Sequence, residues 1–220
     1  MWSFLSDFYY TNSLIVLFVF LLLILGSKYY YSLSNLRVLF WYCLIAFCQV
    51  LIAALYKMKF DEDYSIINFS INIFVLFEYL IFSYFIFVNI KSIQIKSFIV
   101  LASIVFFIYA IKIWLVDNSL YEHPTILSLI ESSLIISFSI YYFYEVLIKN
   151  VEGDKLFTYS FWVILGILLL FSIMTPILLL IVFYPEMVHS DVYAINNISY
   201  LLFYLMLGYL FLCKAKYITL

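Results

Sequence analysis

The sequence predicts an all-α membrane protein, a bundle of seven transmembrane helices built as a single domain over residues 1–220. Three observations carry that prediction. Apolar residues make up 68% of the chain and charged residues only 11%, with a mean hydropathy of +1.14. A water-soluble fold of this size needs more charge to cover its surface. The apolar residues also fall in seven continuous runs, and crossing about 30 Å of hydrocarbon takes about 20 helical residues. Finally, the runs do not alternate with period two, which disfavours a transmembrane β-barrel.

Taken in order, the helices are expected near 8–26, 36–56, 66–90, 98–116, 125–148, 157–184 and 192–213. The first is long enough only if it begins in the Phe- and Tyr-rich stretch before Asn12. A cleaved signal peptide would carry basic residues ahead of its apolar core and small residues at the cut. No Lys or Arg precedes Lys28, and Gly26-Ser27-Lys28-Tyr29 lacks the small-residue pattern, so the segment reads as a retained helix. Connections of about six to ten residues favour antiparallel packing of successive helices. His123-Pro124 suits a helix start, and Pro176 inside the sixth run is expected to kink it. Cys43, Cys48 and Cys213 lie within or at the end of apolar runs, which argues against a disulfide framework.

Basic residues mark the side that stays in the cytoplasm. With the amino terminus outside and the carboxyl terminus inside, inner segments carry Lys28, Arg37, Lys91, Lys96, Lys149, Lys155, Lys214 and Lys216, and outer segments only Lys57, Lys59 and Lys112. Tyr29-Tyr30-Tyr31 and Tyr141-Tyr142-Phe143-Tyr144 then fall at interfaces, where amphipathic rings prefer to sit. This places the chain in a cell membrane as a multi-pass protein, with the bacterial inner membrane as the expected location. The lipid bilayer is its first partner, and no nucleic-acid partner is expected.

Polar groups inside a bundle are costly toward lipid, so they mark candidate sites. In the third helix Asn68, Asn72, Tyr79 and Ser83 share about 60° of arc, with Glu78 about 80° to one side. Glu78 sits near mid-run, the costliest depth for a charge, and must be protonated, paired or next to internal water. In the fifth helix Ser128, Glu131, Ser139, Tyr142 and Glu145 fit within roughly 120°. Asn196, Asn197, Tyr200 and Tyr204 form a stripe on the seventh, and Gln49 adds an amide to the second. The amides Gln49, Asn68, Asn72, Asn196 and Asn197 fall with Glu131 in the outer half. Helices two, three, five and seven are therefore expected to line an outward-facing polar pocket, with Glu78, Glu131, Asn68, Asn72, Gln49, Asn196, Asn197 and Tyr200 as its ligand-binding residues. Amides and serines also serve as interhelical glue, each bond worth about 0.6–2 kcal/mol.

Several chemistries lack their residues. Two histidines, His123 and His189, are too few for a three-His zinc site, and no His-Glu-x-x-His pattern occurs. Neither a Gly-x-Ser-x-Gly elbow nor a phosphate-cradling glycine loop is present. The seventh helix carries no lysine before Lys214, where a retinal protein needs one inside the membrane. No cofactor and no metal is expected. Two alternatives remain beside a binding role: a lipid hydrolase using Glu78 and Glu131 as acid and base, and a small-solute transporter.

Several stretches resemble seven-helix membrane proteins of bacteria that occur beside, or fused to, sensor histidine kinases. These are Leu76-Phe77-Glu78-Tyr79-Leu80, Glu131 followed by Ile140-Tyr141-Tyr142-Phe143-Tyr144-Glu145, Phe161-Trp162 with Gly166, and Asn197-Ile198. The resemblance implies a membrane sensing module, and together with the polar pocket it makes a sensory or receptor-like protein that takes a small-molecule ligand the expected function. Only seven residues follow Cys213, so signalling is expected to reach a separate histidine kinase or other cytoplasmic partner through the basic inner loops.

Overall fold

The computed structural model describes residues 15, 17, 19–26, 34–59, 65–116, 119–149, 159–184 and 190–218. Among these, seven helices and no strands occur: α1 (19–26), α2 (Ser34–Lys59), α3 (Ser65–Asn89), α4 (Ile93–Val116), α5 (Thr125–Tyr144), α6 (Tyr159–Phe183) and α7 (Ser190–Ile218). A short turn, Ser119–Tyr121, links α4 to α5, and a wider helical turn, Glu145–Lys149, ends α5. The expected beginning of the first helix, 8–14, lies outside the described residues. Five helices, α2 to α6, are long and apolar enough to cross a membrane, and α7 contains the apolar stretch Asn197–Phe211. This is a multi-pass membrane architecture.

Helices outrun their apolar stretches, because polar interfacial turns still close backbone hydrogen bonds that have no better partner near lipid. Thus α4 begins at Ile93 and takes in Gln94, Lys96 and Ser97, five residues before its apolar run. Thr125 opens α5, with Pro124 just outside as its cap and accepting from the Ser128 amide. Through Pro176, α6 runs as one helix, and the neighbouring Thr175 hydroxyl donates to the Phe171 carbonyl one turn back.

Each helix from α2 to α7 packs on its sequence neighbour, as short connections require. The centre is α3, which also touches α5 and α6. Its buried face sets Tyr79 against Phe106 of α4 (ring centroids 4.3 Å apart) and Phe82 between Phe171 of α6 and Phe203 of α7. Gly166 lets α6 and α7 approach, since a Cβ there would overlap the Met206 side chain. At Gly208 a Cβ would lie a tight 3.0 Å from Leu22, so the glycine eases the seat of α1 against α7. By contrast α4 is peripheral. It buries Ile99, Phe106 and Ala110 and exposes Leu101, Ile104, Val105 and Ile108. In lipid such exposure carries no hydrophobic cost, so a helix can be apolar all round and still sit at the rim.

Candidate functional site

Two polar clips fix the ends of the α3–α4–α5 unit. At one end Asn72 is buried, and its amide nitrogen lies 3.0 Å from the Leu120 carbonyl, 2.8 Å from that of Glu122 and 3.1 Å from that of Asn68. Its oxygen accepts from the Trp114 indole at 3.1 Å. Asn68 donates to the Tyr121 carbonyl at 3.0 Å. Both amides therefore hold the α4–α5 turn onto α3, where carbonyls without helical partners need donors. At the other end Glu145 accepts from the backbone amides of Lys91 (2.7 Å) and Ser92 (3.0 Å). A carboxylate there satisfies the free N–H groups at the start of α4 and complements its dipole. The wide turn at Glu145–Lys149 is the local departure from α geometry that accompanies this contact.

Between the clips lies the carboxyl cluster. Glu78 is six residues past Asn72 on α3, and Glu131 is six residues past Thr125 on α5. At 1.5 Å per residue each lies about 9 Å below the clipped turn. The shared turn thus sets both carboxyls at about one depth, on two helices that pack against each other. Glu78, 2% exposed, accepts on both oxygens: from the Tyr42 hydroxyl of α2 at 3.0 Å and from the Tyr200 hydroxyl of α7 at 3.1 Å. The Tyr204 ring stacks on Tyr42, with ring centroids 6.2 Å apart. Phe74, Phe82 and Phe203 pack around Tyr42.

Glu131 is equally buried, at 1% exposed, but its Oε1 has no hydrogen-bond partner among the described residues, and neither does the buried Ser139 hydroxyl on the same helix. A buried acceptor left unmatched costs about 1–3 kcal/mol. Such an atom is open to a donor that the described residues do not supply. Toward the Glu145 end the buried Phe82, Phe85, Ile86 and Ile90 are apolar, with Ser83, Ser139 and Tyr142 as the buried polar side chains among them.

Of the residues expected to line the pocket, the structure brings Glu78, Glu131 and Tyr200 together. It places Asn68 and Asn72 on the α4–α5 turn. Gln49 and Asn197 are half-buried, and the Asn196 side chain lies outside the described residues. Tyr42 and Tyr204 complete the cluster. Tyr204 stood in the α7 polar stripe, whereas Tyr42 is one of 22 tyrosines and only its depth in the second run distinguished it. Among the described residues, no three His, Cys, Asp or Glu side chains come together as a metal would need. No known family model, curated protein or solved structure matches the chain.

Proposed function

We propose that the chain is a sensory or receptor-like module of the bacterial inner membrane, with seven spans, the amino terminus outside and the carboxyl terminus in the cytoplasm. One observation carries the reading: the Glu78 carboxyl joins α2, α3 and α7 through two hydroxyl bonds, beside the unmatched oxygen of Glu131. A small polar ligand that donates to Glu131 alters the field at Glu78, and with it the hold of Tyr42 and Tyr200. Two arrangements of α2 and α7 around α3 then differ in ligand affinity, which is what shifting a population between states requires. The half-buried Gln49 and Asn197 mark the approach from outside. On the inner side exposed Lys91 belongs to the basic face offered to a separate cytoplasmic partner, such as a histidine kinase.

The test is ligand-dependent stabilisation. Purified protein in micelles is melted against a panel of small polar solutes. Solutes that bind here raise the melting temperature of the wild type and lose that effect in Glu131→Gln and Glu78→Gln. Stabilisation indifferent to both substitutions refutes the reading. The proximity of the two carboxyls also favours a second one, an intramembrane lipid hydrolase with the pair as acid and base. That reading predicts release of a cleaved lipid that Glu131→Gln abolishes. A transporter would need a polar path past Phe82 and Ile86, and proteoliposomes would show solute flux.

A further inference from the structure

A groove of about 500 Å³ runs along the rim of the bundle where Phe87 of α3 meets the first half of α4. Ile93, Lys96, Ser97, Leu101 and Ile104 are among its lining residues. Its polarity is graded. Lys96 and Ser97 lie near the Ile93 end, and beyond them the lining side chains are hydrocarbon only. From Ile93 to Ile104 is eleven residues, about 16 Å of helix, close to half of the roughly 30 Å hydrocarbon core. The groove is therefore as long as one leaflet is deep.

The lysine is placed to receive an anion. Its Nζ lies 5.1 Å from the centroid of the Phe87 ring, a contact worth about 0.5–1 kcal/mol at an exposed site and weaker than a charge-assisted bond to phosphate. Among the described residues, Glu145 is an acid at this end, and both its carboxyl oxygens accept from the backbone amides of Lys91 and Ser92. Lys91 is exposed beside the same helix start. This end also belongs to the side enriched in basic residues, and the cytoplasmic leaflet that such a side faces is the one rich in anionic headgroups.

We propose that the groove seats one anionic phospholipid, with its phosphate at Lys96 and Ser97 and an acyl chain along Val100, Leu101 and Ile104. The occupant follows from charge and length together. A partner helix would use the whole exposed face of α4, including Ile108 and Leu115, and would have no use for a cation at the mouth of a leaflet-deep groove.

The test is native mass spectrometry of the full chain, released from micelles doped with equal amounts of phosphatidylglycerol and phosphatidylcholine of matched chain length. The wild type is expected to retain phosphatidylglycerol over phosphatidylcholine by about five-fold, the factor for one lysine near a charged surface at about 1 kcal/mol. Lys96→Gln should reduce that ratio to about one, and Leu101→Trp, which fills the groove, should lower retention of both lipids. Equal retention of the two lipids by the wild type means ordinary surrounding lipid and overturns the proposal. So does a preference that survives Lys96→Gln, or a dimer mass in place of the bound lipid. If Leu101→Trp does not fold, Lys96→Gln decides alone, since it alters a half-buried rim residue and no core contact.

Discussion

Replacing Glu78 by leucine exchanges the buried carboxyl for an apolar side chain of similar size. It leaves the Tyr42 and Tyr200 hydroxyls, now 3.0 and 3.1 Å from a carboxyl oxygen, without an acceptor. An orphaned buried hydroxyl costs about 1–3 kcal/mol, while removing a buried carboxyl returns part of its desolvation cost. The net expectation for Glu78→Leu is a loss of about 3 kcal/mol. Restoring consistency should reverse it. In the triple variant Tyr42→Phe, Glu78→Leu, Tyr200→Phe, donors and acceptor disappear together, and replacing all partners by apolar groups is close to neutral. Glu78→Gln should fall between, since an amide offers one acceptor and turns the other bond around. Unfolding by sodium dodecyl sulfate in mixed micelles, followed by helical circular dichroism, measures each term. A Glu78→Leu protein as stable as wild type, or a triple variant no better than the single, refutes the cluster as drawn.

Three further perturbations test the parts around it. Asn72→Ala breaks the contacts to Leu120, Glu122 and Trp114 and should cost about 2 kcal/mol, against less than about 1 kcal/mol for Asn68→Ala; the same unfolding assay ranks them, and equal costs would be wrong for the clip described. Glu145→Gln keeps one acceptor but loses the charge at the start of α4, costing about 1 kcal/mol, and hydrogen exchange at the Lys91 and Ser92 amides should accelerate. Gly166→Leu forces Met206 and Phe203 aside and should destabilise by about 1–3 kcal/mol, whereas Gly166→Ala costs less because a methionine end can swing away; both are read from thermal melts.

Most of the architecture was legible because lipid demands long apolar helices, and the runs state their number and order directly. Helix ends were less legible. The start of α4 at Ile93 rests on polar residues that a hydropathy pattern assigns to a loop. Facing was harder still: Ile99 is buried and Leu101 exposed, yet both are aliphatic, so apolar periodicity has nothing to report. Only sparse polar residues carry that information, and they do so ambiguously. Asn72 and Glu131 had the same kind of signal, an uncommon polar group in an apolar run. Asn72 has its hydrogen bonds met by a turn about fifty residues along the chain, and Glu131 has one oxygen met by nothing described. What separates glue from site is the partner, and partners such as Tyr42 and Tyr200 come from distant helices.

The spread of those partners along the chain has a consequence for biosynthesis. Synthesis and insertion proceed from the amino terminus, so the two clips close within the span from α3 to α5, as soon as α5 is in the bilayer. Glu78 meets Tyr42 early but waits for Tyr200, 122 positions downstream, until α7 arrives. A chain stalled before α7 therefore holds a half-satisfied carboxyl in its centre, and only the arrival of α7 closes the cluster.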